Sequence, residues 1–124
     1  MDKKGYRILV LDDDPDIGMM IKLMLEYRGY FVILVERAEK AEKIIRDDKV
    51  DLLIMDMLLS GTNGVDVCKR LKQAGKLPIL MISAHPNAKE ICLAAGADDF
   101  IAKHFDMQDL LSSIDNIMHQ QERK

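Results

Sequence analysis

Five short strands alternating with five helices around a parallel sheet, an α/β architecture, is what this sequence predicts. Two observations carry it. Five continuous apolar runs, rich in Ile, Leu and Val, recur along the chain, as in strands buried on both faces. Between them lie segments whose apolar residues are spaced by three and four, as on one face of a helix. A βα order repeated in this way builds a parallel sheet with helices on both sides. With 124 residues, 48% of them hydrophobic, the chain is sized for one domain over residues 1–124, with its core in residues 6–119 or about that.

The elements follow in order. Ile8-Leu9-Val10-Leu11 is the first strand. Asp14-Pro15 opens the first helix: an acceptor at the N-cap, then Pro where no N–H is needed. Ile17, Met20, Ile21, Met24 and Leu25 mark its apolar face, and Gly29 ends it. Phe31 to Val35 is the second strand, and Ala38, Ala41, Ile44 and Ile45 mark the second helix. Leu52-Leu53-Ile54-Met55 is the third strand, followed by a helix marked by Val65, Cys68 and Leu71 that ends near Gly75. Ile79-Leu80-Met81-Ile82 is the fourth, with a short helix around Ala88 to Ala95 that stops at Gly96. Phe100-Ile101-Ala102 is the fifth strand. The last helix begins at Asp106, with Asp109 as a capping-box analogue and Leu110, Leu111, Ile114, Ile117 and Met118 inward. Met20, Met24, Met55 and Met81 are core-like by spacing. The polar end from Gln120 to Lys124 reads as a free end or the start of a linker.

Composition narrows the function classes. A net charge of -3, no Trp and 5% aromatic residues argue against nucleic acid as a direct partner, which wants a basic stripe and stacking surfaces. No apolar run approaches membrane-spanning length, and the start lacks the pattern of a signal peptide, so a cytoplasmic protein with no membrane partner is expected. Cys68 and Cys92 have neither zinc nor redox spacing and are expected to be reduced, buried thiols.

In open α/β sheets, ligands bind outside the carboxyl ends of the strands. The first strand ends in Asp12-Asp13-Asp14, the third in Asp56, the fourth in Ser83, and Lys103 follows the fifth. Crowded carboxylates repel one another and favour a bound divalent cation. An oxygen-only ligand set suits Mg²⁺ better than zinc, with Mn²⁺ as a second candidate. A carboxylate can also attack a phosphoryl group, with the metal, a Lys and a hydroxyl holding the phosphoryl oxygens. Asp14 reads as a helix N-cap rather than a ligand.

These segments together resemble the receiver domain of bacterial two-component response regulators. The matching residues are Ile8 to Pro15, Asp51 to Asp56, Gly61, Gly64, Pro78 to Ala84 and Gly96 to Lys103, over nearly the whole chain. The resemblance implies a flavodoxin-like (βα)5 fold, its five-stranded parallel sheet in the order 2-1-3-4-5. It implies that Asp56 is the phosphoacceptor, taking its phosphoryl group from a histidine kinase or a histidine phosphotransfer protein. Asp13 would bind Mg²⁺ directly, Asp12 through water, and the backbone carbonyl of Leu58 would complete the protein ligands around Asp56. Ser83 would be the switch hydroxyl, Phe100 the rotating aromatic and Lys103 the partner of the phosphoryl oxygens. The face of the fourth helix, fifth strand and fifth helix would carry the output. Leu58 and His85, each two residues beyond a site residue, would flank the attacking water and tune the lifetime of the acyl phosphate. Such a chain assists its own phosphorylation but is no multiple-turnover enzyme.

Departures from the family pattern are local. Ser60 and His104 stand where Pro is usual, and Phe100 stands for the commoner Tyr. The peptide before that second Pro is commonly cis, and cis before a non-proline residue costs ~3 kcal/mol, so either isomer of Lys103-His104 stays open. The stretch from Ser83 to Gly96 is slightly short, which shortens the fourth helix or its leading loop. Two other readings compete: a small haloacid-dehalogenase-type phosphohydrolase using Asp12, Asp14 and Asp98-Asp99, and a receiver-like interaction module that is never phosphorylated.

Overall fold

A computed structural model of the chain describes residues 5–122. Met1 to Lys4, Arg123 and Lys124 lie outside the described residues, and with them both ends of the expected domain. The elements are β1 (Arg7–Leu11), α1 (Pro15–Tyr27), β2 (Phe31–Val35), α2 (Ala38–Asp47), β3 (Leu52–Asp56), β4 (Leu58–Leu59), β5 (Thr62–Asn63), α3 (Gly64–Ala74), β6 (Ile79–Ser83), α4 (Ala88–Ala94), β7 (Asp99–Ala102) and α5 (Met107–Glu122). The five long strands form one parallel sheet in the order β2-β1-β3-β6-β7. Counted among themselves, this is the expected 2-1-3-4-5.

Alternation along each strand divides the core in two. Ile8, Val10, Ile54 and Leu80 face Ile21 and Leu25 of α1 and Leu110, Ile114 and Ile117 of α5. Leu9, Leu11, Met55 and Met81 face Ala38 and Ala41 of α2, Val67 and Cys68 of α3, and Ala88 and Cys92 of α4. Because successive side chains point to opposite faces, a strand buried on both sides must be apolar throughout.

The side-chain caps of α1 and α5 are those the sequence announces, and Asn63, unannounced, caps α3 by accepting from the Val65 N–H at 2.8 Å. Asp14 accepts from the N–H groups of Asp16 and Ile17 at 2.9 and 3.4 Å and so starts α1. Asp106 and Asp109 cap α5 reciprocally, each side chain accepting from the other's N–H at 2.8 and 3.1 Å. Gly29 and Gly96 follow α1 and α4 with φ of +94 and +104. α5 continues through Glu122, so the polar end expected to be free begins as helix.

Two expectations are corrected. Met20 is exposed rather than in the core, and Met24 is only half-buried, while Met55 and Met81 are fully buried. The buried stripe of α1 runs through Gly18, Ile21 and Leu25, and a Cβ on Gly18 would lie 2.7 Å from Leu34 Cδ1. The helix therefore sits low over β2 on its glycine, which rotates Met20 outward. The other correction is an addition: β4 and β5 pair as an antiparallel hairpin of two residues each, beside Asp56. Both cysteines are free and buried, as expected, and burial pushes the Cys68 thiol up to about 11.

Candidate functional site

Sheet register decides what meets at the carboxyl ends. Leu11 pairs with Met55, Asp56 with Ile82, and Ser83 with Ala102. The residues one step beyond these pairs, Asp12 after β1 and Lys103 after β7, therefore flank Asp56 at the end of β3. Parallel strands in register bring one rim together from positions far apart in the chain.

Asp12, Asp13 and Asp56 each offer an oxygen within 4.8 Å of the others. Asp12 is 1% exposed and Asp56 6%. Lys103 Nζ donates to Asp56 Oδ2 at 2.7 Å, a largely buried ion pair. The other oxygen, Asp56 Oδ1, accepts from the Leu58 N–H at 3.1 Å. No peptide bond is cis among the described residues, so the Lys103-His104 bond is trans, and Lys103 still reaches Asp56.

The electrostatics follow from burial and crowding. Desolvation raises the Asp12 carboxyl to about 6, and the Asp56 and Asp13 charges push the same way against the hydrogen bond from the Asp14 N–H. The hydroxyl of Ser60 lowers the Asp13 carboxyl below its ordinary value, helped by the Ser60 N–H. Burial alone would depress the Lys103 ammonium, but its hydrogen bond to Asp56 and the Asp56, Asp12 and Asp14 charges outweigh it and raise it.

These residues fit a hard divalent cation. The donor set is all carboxylate, and Asp12 Oδ2 is buried with no hydrogen-bond partner. A buried, unpaired anionic oxygen beside two more carboxylates is what a cation would satisfy. Without one, Asp12 is a net cost to the fold. Its carboxyl binds a proton more tightly folded than unfolded, so this cost grows as pH rises from about 3.8 to about 6 and is complete above that. Asp12→Asn keeps the acceptor for the Asp14 N–H and should raise the stability of the metal-free protein at neutral pH by about 2 kcal/mol. Urea midpoints in EDTA check this, and the gain should vanish toward pH 4.

Ser83 closes β6 and is 1% exposed. Its Oγ accepts from the His85 N–H at 3.0 Å and its carbonyl from the Lys103 N–H at 2.9 Å, so its hydroxyl is engaged by its own loop. Phe100 is half-buried against the α2–α3–α4 side of the core. Leu58 and His85 are exposed. Two further residues shape the site. Ser60, standing where Pro is usual, binds Asp13, and Gly64, one of the residues that carry the resemblance, lies where a Cβ would meet the Asp56 carbonyl. Neither role has a local signature, because each acts on a residue brought near by the fold.

Asp98 and Asp99 lie at the opposite end of the sheet. Asp98 Oδ2 accepts from the Ile79 N–H and from Lys72 Nζ, both at 2.8 Å, at the start of β6, and Asp99 begins β7. With Asp14 committed to its helix cap, the acidic pairs that a dehalogenase-type hydrolase would use do not converge.

Residues 8–115 match the family model described as the response regulator receiver domain. The DNA-binding response regulator MtrA of Mycolicibacterium smegmatis is 33% identical over 116 residues, which cover 92% of this chain and 51% of MtrA. The chain thus spans about half the length of the curated relatives it matches. A candidate response regulator from Chloroflexus aurantiacus is 37% identical, with a TM-score of 0.88 over 94% of this chain and 99% of that one. A CheY-like receiver domain protein from Methanospirillum hungatei is 26% identical, with a TM-score of 0.87 over 96% and 98% of the two chains.

Proposed function

This chain belongs to the response regulator receiver domains of two-component systems, and from that premise we propose that it works as a phosphorylation switch built on Asp56. The observation that carries the reading is the Lys103–Asp56 ion pair at the edge of the acidic cluster. Asp56 attacks the phosphorus of a phosphohistidine on a histidine kinase or phosphotransfer protein. A P–O bond to the carboxylate forms, the P–N bond breaks, and the imidazole leaves with the electron pair and takes up a proton. Asp12, Asp13, Asp56 and the Leu58 carbonyl would hold Mg²⁺ or Mn²⁺. The cation supplies charge neutralisation between an anionic donor and an anionic acceptor.

Lys103 then has a stronger partner than a carboxylate oxygen, and its ammonium moves onto the phosphoryl group. Ser83, whose Oγ accepts from the His85 N–H, keeps its O–H to donate to the same group as it turns inward, and Phe100 takes up the space it vacates. Phosphorylation in this way biases a two-state element rather than creating one. The output face is formed by α4, β7 and α5, where Ile91 and Leu93 of the short α4 are exposed. An exposed apolar strip (Met19, Met20, Leu23 and Tyr27) runs along α1 away from the end capped by Asp14, and we assign it to the phosphodonor.

The chain is its own substrate and performs no separate turnover. DNA binding, named for MtrA, is said of that longer protein, and the net charge of -3 gives no support for it here. Among the described residues no helix is long and apolar enough to cross a membrane, which supports a cytoplasmic location.

Leu58 is 58% exposed beside Asp56 and carries no group that can orient water. The phosphoryl group should therefore be long-lived, with His85 as the other flank. In a decay assay in Mg²⁺, Leu58→Asn should shorten the lifetime severalfold; an unchanged or longer lifetime refutes this role. The switch itself is tested with acetyl phosphate or beryllofluoride in Mg²⁺. Modification that needs the cation supports it, and none at all leaves the unphosphorylated interaction module.

A further inference from the structure

Asp13 is held from across the site. Ser60 donates twice to Asp13 Oδ2, from its backbone N–H at 2.7 Å and its hydroxyl at 2.6 Å. The two residues are 47 positions apart. Ser60 and Gly61 are the turn of the β4–β5 hairpin, whose flanking pair is Leu59 with Thr62. Gly61 has φ of +71, and no described non-glycine residue has positive φ. Ser60 thus sits at the first central position of the turn, and its N–H is directed at Asp13 instead of the hairpin's own ladder. The Pro usual at this place in the family carries neither donor.

We propose that Ser60 is a positioning residue for the divalent cation. It keeps the Asp13 carboxylate at the cluster, where an oxygen lies within 4.8 Å of oxygens from Asp12 and Asp56. Asp13 is less buried than its two partners and faces two like charges. Left alone, its side chain would turn toward solvent, and binding a cation would have to order it again. Two hydrogen bonds prepay that ordering. Bonds that draw charge from a carboxylate also weaken it as a ligand, so the two effects oppose. Ordering wins here because the hydrogen bonds persist in both states, and a carboxylate has about four lone-pair positions, enough for Ser60 and a cation together. Hydrogen-bonded partners of metal-binding carboxylates act in this way.

The inference rests on the reading that Asp12, Asp13 and Asp56 bind Mg²⁺. Its test is the Mg²⁺ affinity without phosphodonor, from amide chemical shifts of the full chain titrated with MgCl₂. Ser60→Ala, which keeps the N–H, should weaken binding about tenfold, and Ser60→Pro, which removes both donors, by up to ~100-fold. Pro suits the first central position of such a turn, so the hairpin should survive. Ser60→Thr should bind like the parent. Thermal melts in EDTA confirm that each variant is folded. Equal or tighter binding by Ser60→Ala and Ser60→Pro, with Asp13→Asn still abolishing it, overturns the role of Ser60 alone. A parent protein that shows no saturable Mg²⁺ shift overturns the metal reading and the inference with it.

Discussion

Asp56→Asn should take up no phosphoryl group from acetyl phosphate in Mg²⁺, a complete loss in intact-mass measurements where the parent protein gains one phosphoryl. An amide has no anionic oxygen to attack phosphorus, yet it fills the same volume. The Leu58 N–H, 3.1 Å from Asp56 Oδ1, keeps an acceptor. Chemistry is therefore removed with little change of shape. Lys103 loses its carboxylate partner at 2.7 Å, but the charges of Asp12 and Asp14 still act on it. The substitution also separates the competing readings. A hydrolase working from Asp12 would still turn over a phosphate ester after Asp56→Asn and lose it after Asp12→Asn. The distribution of carboxylates predicts no such turnover in the parent or in either variant: Asp12 and Asp56 point into one site, while Asp98 and Asp99 lie at the far end of the sheet.

Gly64→Ala should destabilise the protein by about 3 kcal/mol, at the upper end of what an overpacked site costs. A Cβ at this position would lie 2.5 Å from the Asp56 carbonyl oxygen and 2.6 Å from that of Met57. Both are backbone atoms, so no flexible side-chain end can give way. Gly64 also donates its N–H to the Met57 carbonyl at 2.9 Å, which draws the start of α3 against the loop that follows Asp56. Relief of the clash would have to push that loop outward, so folded Gly64→Ala should also accept phosphoryl groups slowly. Gly61→Ala separates this packing effect from backbone conformation. Gly61 has φ of +71 and open space around its Cβ position, so only the left-handed backbone penalty of about 1–2 kcal/mol applies. Urea midpoints of the two variants should differ accordingly, and equal midpoints would count against the steric account.

Local signals made much of this protein legible. The apolar runs give the five long strands, because a strand covered on both faces has no polar position to spare. Asp14 before Pro15, and Asp106 three residues before Asp109, mark helix starts whose capping bonds form within one turn. Carboxylates, a hydroxyl and a lysine just beyond apolar strands mark the rim, since the α/β architecture assigns that rim to ligands. The β4–β5 hairpin left no trace of this kind. Two pairs of residues across a turn are too few to show a period. The periodicity of α1 also misled at Met20, because the glycine at 18 sets how low the helix sits and so which face turns inward.

By itself, then, the sequence determined the order of the five long strands and five helices, the caps that start α1 and α5 and the chemical groups offered at the strand ends. Those depend on contacts within a few residues. The tertiary structure alone decided which groups meet. Strand register set Asp56 beside Asp12 and Lys103, with Lys103 delivered through a trans bond, and sent Asp98 to the other end. It also brought Ser60 onto Asp13 from 47 residues away. Such contacts follow from the packing of the whole sheet, whose energy is spread over many residues and written at no single position.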